Sequence, residues 1–360
     1  MESLVINSSF WSGRRVFLTG HTGFKGSWLS LWLGKLGANV VGYALKPPSE
    51  PSLFKDANVL QVMERSVFGD ICNASELCKT IQQAAPEIVI HMAAQPLVHD
   101  SYIDPVETYS TNVMGTVNLL EAVRNTSTVK AVLNITSDKC YENREKSSGY
   151  SENEAMGGHD PYSSSKGCAE LVSSAYRNSF LQKEGIALAT ARAGNIIGGG
   201  DWAKYRIVPD AIRAFTGKKK LLVRNPHAIR PWQHVLEPLS GYLLLCEYLI
   251  KQPENFAAGW NFGPDDENVK SVSKLADIMV SSWGDNVEWM LDEEPYPHEA
   301  NILKLDCTKA KTKLNWSPIW SLERALKETV LWYKAWNNAS SMGDFTLCQI
   351  ETYEKEHLVK

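Results

Sequence analysis

The chain has 360 residues, 44% hydrophobic and 22% charged, with a formal net charge of -4. That length exceeds what one core usually supports and favours two closely packed domains with a cleft between them. The slightly acidic balance excludes general attraction for nucleic acid, which proteins bind through clustered Lys and Arg, and no apolar run reaches the ~18 residues of a membrane span.

Glu2 stands early and no charged-then-apolar leader pattern follows, so the expected location is the cytoplasm. Seven cysteines without CxxC spacing or a partnering His pair read as reduced, mostly buried thiols, and no metal site is expected. The one basic run, 218–220, reads as a solvated turn before the strand Leu221-Leu222-Val223.

From Arg15 to about Asn195 short apolar runs alternate with helical patterns. The runs are Val16-Phe17-Leu18, Val40-Val41-Gly42-Tyr43, Ile88-Val89-Ile90, Ala131 to Ile135 and Ala187 to Thr190. Such alternation predicts an α/β fold, a doubly wound parallel sheet with both faces covered. Helices are predicted over Gly26 to Leu36 and over Tyr109 to Arg124, the latter burying Val113, Val117, Leu120 and Val123.

After Asn195 the pattern loosens into Gly198-Gly199-Gly200-Asp201-Trp202, a helix start at Pro209 and Arg230-Pro231-Trp232. Gly259-Trp260-Asn261-Phe262-Gly263 reads as a late strand returning to the sheet. The expected organisation is therefore a cofactor domain over 1–197 with a return at 229–263, and a smaller substrate domain over 198–228 and 264–340. A closing helix is predicted to bury Leu322, Leu326, Val330 and Tyr333; residues 341–360 carry no readable signal.

Thr19-Gly20-His21-Thr22-Gly23-Phe24-Lys25-Gly26 follows the first strand and opens a helix, the context in which glycine spacing marks a dinucleotide site. Backbone approaches a pyrophosphate closely only where no Cβ intervenes, and the helix N-terminus adds free N–H groups. The Gly-x-x-Gly-x-x-Gly spacing resembles the extended short-chain dehydrogenase/reductases that act on nucleotide sugars. That resemblance implies a Rossmann-type fold and NAD bound by Gly20, Thr22, Gly23, Phe24, Lys25 and Gly26, with Asp70-Ile71 at the adenine and Met92-Ala93-Ala94-Gln95 beyond the fourth strand. At the end of the second strand Ala44 stands where an acid would grip the ribose, and Lys46 nearby leaves NADP open.

Tyr162 and Lys166 lie four residues apart, one helical turn, and Tyr162 is the only one of the 13 tyrosines with Lys at that distance. A neighbouring ammonium and a positive nicotinamide both favour the phenolate, so the pair suits removal of a proton from a carbinol as hydride leaves it. Lys166 is also expected at the nicotinamide ribose.

Thr136-Ser137-Asp138-Lys139-Cys140-Tyr141 resembles the Ser-Thr-Asp-Glu of hexose-nucleotide 4,6-dehydratases, and the segments 194–202 and 230–235 extend the resemblance over most of the chain. The likeness is to the dehydratases taking CDP-glucose, within deoxysugar formation of the O-antigen type. It implies that Ser137 bonds the 4-oxygen with Tyr162, that Asp138 protonates the departing 6-hydroxyl, and that Lys139 occupies the place of the glutamate base. Lys139 acts as a base only when neutral; orienting a water or pairing with Asp138 are its other readings.

The same resemblance implies Asn112, Asn195, Arg206, Ile207, Val208 and Arg230 at the substrate, and a homodimer or tetramer. A buried structural amide is the other reading of Asn112, and interdomain ion pairs the other reading of the two arginines. The rival functions are a nucleotide-sugar 4-epimerase, which needs no acid and base for water loss, and a non-catalytic NAD-binding module.

Overall fold

The computed structural model describes residues 6–146, 148–292 and 303–359. Seven strands form one sheet: β1 (Arg15–Thr19), β2 (Asn39–Ala44), β3 (Arg65–Phe68), β4 (Ile88–His91), β5 (Ala131–Ile135), β6 (Ala187–Arg192) and β7 (Gly259–Asn261). Their order is β7-β6-β5-β4-β1-β2-β3, and every pairing is parallel. The segment at 259–263 thus returns to the sheet beside β6, as its apolar pattern predicts.

Alternation along each strand divides the interior in two. Val16, Leu18, Val40, Ile88, Ile90 and Leu133 face one core, which they share with Trp28, Leu29 and Trp32 of α1 (Phe24–Lys35). Phe17, Val41, Val89, Val132 and Leu188 face the other, against Leu77 and Ile81 of α2 (Ala74–Ala84) and Leu120 and Val123 of α3 (Gly115–Arg124). Because both faces are covered, β4, β5 and β6 are buried at every position, which is why their sequences are continuous runs.

The predicted helix at 109–124 is real but its buried face differs. A π-helical turn, Ser110–Met114, precedes α3. The wider turn shifts the helix phase, so Asn112, Thr116, Leu119, Leu120 and Val123 are buried while Val113 and Val117 are only half covered.

Further helices and short strands pack around the sheet. Helix α4 (Pro161–Tyr176) is capped by the Asp160 carboxylate, α5 is Ile207–Thr216, and α6 (Leu236–Lys251) is buried along most of its length. Helix α7 (Leu322–Asn337) buries Leu322, Leu326, Val330 and Tyr333 as predicted. The run at 218–220 is a turn with Lys218 left-handed at φ 52, leading into the strand Leu221–Val223.

The segment without a readable signal is a helix, α8 (Met342–Val359). Its inward face mixes the core residues Met342, Ile350 and Tyr353 with the buried polar residues Thr346 and Gln349, so no regular apolar stripe marks it. Thr346 accepts the Trp332 indole N–H at 2.9 Å, Gln349 donates to Glu328 at 2.8 Å and Tyr353 donates to Glu237 at 2.7 Å. Glu237 also accepts the Trp320 amide at 2.7 Å, so one buried carboxylate joins α6, the entry to α7 and α8. No helix among the described residues is long and apolar enough to cross a membrane.

Candidate active site

The sheet order reverses direction between β1 and β4, and the crevice at that switch point is where parallel sheets of this kind take ligands. The turn after β1 is tight: Gly20 has φ 77, and a Cβ there would meet the Ala93 nitrogen at 2.7 Å. A Cβ on Gly26 would meet the Gly20 carbonyl at 2.1 Å, so α1 packs directly on the turn. Thr19 Oγ1 accepts the amides of Met92 and Ala93 at 3.0 and 3.1 Å, fixing the loop after β4 against the loop after β1.

Helix α1 opens at Phe24 with Gly23 as its N-cap and no side-chain cap. Its opening turn therefore keeps backbone donors for an anion, which is the fit a pyrophosphate requires. Thr22 gives its hydroxyl to the Leu45 carbonyl at 2.8 Å, tying the loop to the exit of β2 just beyond Ala44. Asp70 is exposed after β3, its carboxylate turned onto the Cys72 amide at 2.8 Å, while Ile71 is buried. The Gln95 side chain is taken up by the Leu97 backbone and the Thr108 hydroxyl, so it holds the loop after β4 in shape.

Eleven of the residues predicted for the site line one cleft of about 600 Å³: Phe24, Lys25, Ser137, Asp138, Lys139, Tyr162, Asn195, Arg206, Ile207, Val208 and Arg230. They come from the start of α1, the end of β5, the start of α4, the exit of β6, the start of α5 and, for Arg230, the short strand Ile229–Pro231. Lys166 lies behind Tyr162, buried, with Nζ 3.5 Å from the Ile135 carbonyl.

Asn112, expected at the substrate, lies outside the cleft. It accepts the Gln95 amide at 2.9 Å and donates to the Gln95 carbonyl at 3.1 Å and to Ser165 Oγ at 2.8 Å. These bonds spend its amide, and it acts as a clamp between the loop after β4 and α4.

Several cleft residues escaped the sequence reading. Gly194 is one, because a Cβ there would sit 1.8 Å from Asp138 Oδ2; the glycine makes room for the acid. The loop Pro96 to His99 and Tyr205 are others. The His99 and Tyr205 rings stack at 4.2 Å and 22°, joining the loop after β4 to the segment before α5 across the cleft. No local motif marks such a contact, since its partners are remote in sequence.

Ser137 donates to Asp138 Oδ1 at 3.0 Å and accepts the Lys139 amide at 3.2 Å. Asp138 is buried, and its Oδ2 has no hydrogen-bond partner among the described residues. A buried carboxyl oxygen left without a partner is costly unless something polar is to be bound there.

Burial pushes the Tyr162 phenol up to about 12, opposed first by the Ser137 hydroxyl, raised by Asp138 and opposed again by Arg206. Burial also lowers Lys166, to about 8. Lys25 is lowered to about 7 by burial and then by Lys166 and Arg206, against the pull of Asp138. Arg206 Nη1 is paired with Asp201 at 2.9 Å.

The chain matches the family model described as GDP-mannose 4,6 dehydratase over residues 17–329. It is 57% identical to the CDP-glucose 4,6-dehydratase of Salmonella typhimurium over 343 residues, covering 94% of this chain and 95% of that one. A dTDP-glucose 4,6-dehydratase of Haemophilus influenzae is 25% identical over 76% of this chain and 83% of its own. Among solved structures, the dTDP-glucose 4,6-dehydratase of Bacillus anthracis in complex with NAD has a TM-score of 0.74 at 20% identity, over 92% of this chain and all of that one (100%). An epimerase of Methanothermobacter thermautotrophicus reaches a TM-score of 0.79 at 21% identity, over 92% and 96% of the two chains. With a family model spanning most of its length and a relative more than half identical from end to end, the chain belongs to the nucleotide-sugar 4,6-dehydratases, the GDP-mannose 4,6 dehydratase family.

Proposed function

We propose that the protein is an NAD-dependent CDP-glucose 4,6-dehydratase, a hydro-lyase that turns CDP-glucose into CDP-4-keto-6-deoxyglucose. The uncapped start of α1 and the glycine turn before it hold the dinucleotide. NAD held there would supply reversible hydride acceptance at carbon 4 and carbon 6 of the sugar, with no net consumption of cofactor.

The protein's own groups move the protons. Tyr162 Oη takes the proton of the 4-hydroxyl, and Ser137 Oγ bonds the same oxygen. The Ser137 hydroxyl and Arg206 oppose the rise of the phenol, and a positive nicotinamide bound beside it would favour the phenolate further. Once carbon 4 is a ketone the carbon 5 proton is acidic; Lys139 takes it and Asp138 gives a proton to the 6-hydroxyl as it leaves as water. Arg206 and Arg230 hold the diphosphate, with Asn195, Ile207 and Val208 around it, the guanidinium fork suiting two phosphate oxygens at once.

The observation that carries this reading is the Asp138 carboxyl, buried in the cleft with Oδ2 unpartnered and with Ser137 and Tyr162 beside it. Epimerisation has no leaving hydroxide for such a group to protonate. The cytidine assignment is supported by the 57% identity to an enzyme of that name.

The test is to incubate the purified protein with CDP-glucose and NAD in deuterated water. A 4-ketone absorbing in alkali, loss of one water by mass and deuterium at carbon 5 are expected. CDP-galactose without water loss would establish an epimerase, and unchanged CDP-glucose a binding module. In Lys139→Ala, undiminished labelling of carbon 5 would remove Lys139 from the base role.

A homodimer is proposed as well. Tyr102, Ile103, Val106, Tyr109, Met114 and Leu171 are exposed apolar side chains on the short helical segments before α3 and on α4, elements that pack against one another. Light scattering in solution tests it. A cytoplasmic location accords with seven free thiols.

A further inference from the structure

The catalytic groups stand on two separate elements. Tyr162 and Lys166 belong to α4, whereas Ser137 and Asp138 follow β5. The oxidising and eliminating halves must nevertheless address one sugar ring, and displacement by 1 Å is enough to cost orders of magnitude in rate.

One helical turn beyond Lys166, Glu170 is buried against Arg192 at the end of β6, each side chain 5% exposed. Glu170 Oε1 accepts Thr136 Oγ1 at 2.5 Å and Arg192 Nε at 2.9 Å; Oε2 accepts Thr190 Oγ1 and Arg192 Nη2, both at 2.7 Å. Arg192 Nη1 donates to Tyr141 Oη at 2.6 Å and to the Glu152 carbonyl at 3.1 Å. Gly259 leaves room for that guanidinium, since a Cβ would lie 2.4 Å from Nη2.

Thr136 is the residue immediately before Ser137, and Tyr141 follows the short helical turn Asp138–Cys140. The eliminating loop is therefore held at both ends by the same ion pair, and that pair is anchored on the helix bearing Tyr162 and Lys166. Lys166 Nζ, reaching the Ile135 carbonyl, makes a parallel contact one turn earlier.

We infer that Glu170 and Arg192 are positioning residues which, through Thr136 and Tyr141, fix Ser137 and Asp138 in register with Tyr162 and Lys166. Stability alone is a poor reason for such a pair, because desolvating two charges offsets their attraction and well-packed apolar side chains often serve as well. A fixed register between two elements is something apolar packing does not define as sharply.

The inference rests on the dehydratase reading, and its test separates the two. Thr136→Val and Thr190→Val each remove one hydroxyl from Glu170 and leave the ion pair whole, so neither strands a buried charge. The two losses are alike in kind, but only Thr136 adjoins the reacting loop. Turnover of CDP-glucose, NAD affinity and urea midpoint would be measured for both.

Thr136→Val is expected to lower kcat about tenfold, with KM and NAD affinity within about twofold. Absorbance of reduced nicotinamide should accumulate during its turnover, because oxidation continues while elimination lags. Thr190→Val should lose comparable stability, hold kcat within about twofold and accumulate no such absorbance. Equal kcat for the two variants, or a loss in Thr136→Val that follows stability alone with no accumulation of reduced cofactor, would overturn the inference. Failure of the parent protein to act on CDP-glucose would instead overturn the function assigned above.

Discussion

Asp138 is tolerated in the cleft only because residue 194 has no side chain. A Cβ 1.8 Å from Oδ2 leaves no alternative but movement of the carboxyl or of the backbone after β6. In Gly194→Ala, turnover of CDP-glucose should fall by about 100-fold or more, while NAD affinity, set on the far side at Gly20 to Gly26, changes little. Calorimetric titration with NAD beside a turnover assay would check this, and retained turnover would disprove the crowding. The residues proposed to react were legible at this scale because they sit in short motifs: Ser137 to Lys139 after a strand, Tyr162 and Lys166 one turn apart. Gly194 stood in a motif of its own too, yet what it makes room for lies 56 positions away, between residues 138 and 194. For Asn112 the sequence left two readings, a substrate contact and a buried structural amide, and its bonds to the Gln95 backbone and Ser165 fit the second.

Among elements, the central strands were legible because burial on both faces makes them continuous apolar runs, and α7 because its buried stripe is regular; the edge strand β3, half-exposed and only partly apolar, was not among the runs read from the sequence. The face of α3 was misjudged because a π turn leaves no trace in a periodicity built on uniform turns. Helix α8 was missed for a different reason: it is held inward by hydrogen bonds as much as by apolar contact. Tyr353→Phe removes its bonds to Glu237 at 2.7 Å and Ser240 at 3.2 Å. Losing a buried bond to a charged group costs ~1.5–3 kcal/mol. The urea midpoint should fall accordingly, with kcat for CDP-glucose unchanged at temperatures where the variant is folded.

For the whole molecule, three buried histidines set an acid limit. Burial holds His21 at about 4 and His91 and His234 at about 3, against an ordinary 6.5. Because the folded values lie below the unfolded one, the unfolded chain binds protons that the folded chain refuses. Stability from these groups is full above 6.5 and is lost as pH falls from there toward 4 and 3, each histidine costing about 1.4 kcal/mol for every tenfold rise in proton concentration across that interval. Lys25 and Lys166, lowered to about 7 and about 8, act in the same direction at higher pH: stability rises from those values toward 10.5. Denaturant titrations between pH 5 and 6.5 should show a steep rise that is shallower in His234→Asn; an unchanged slope would show that His234 titrates normally.

The bond between the Trp32 indole and Glu354 spans 322 positions, and Lys35 meets the same carboxylate. Both partners lie on α1, the helix that opens the glycine turn. A nascent chain therefore has the turn and the sheet's first strands long before it has the helix that braces them from behind. During synthesis the dinucleotide site stands with one flank bare, and Trp32 awaits a partner made 322 positions later. Cofactor capture by the growing chain should accordingly stay weak until α8 has emerged, even with the candidate catalytic residues already in place.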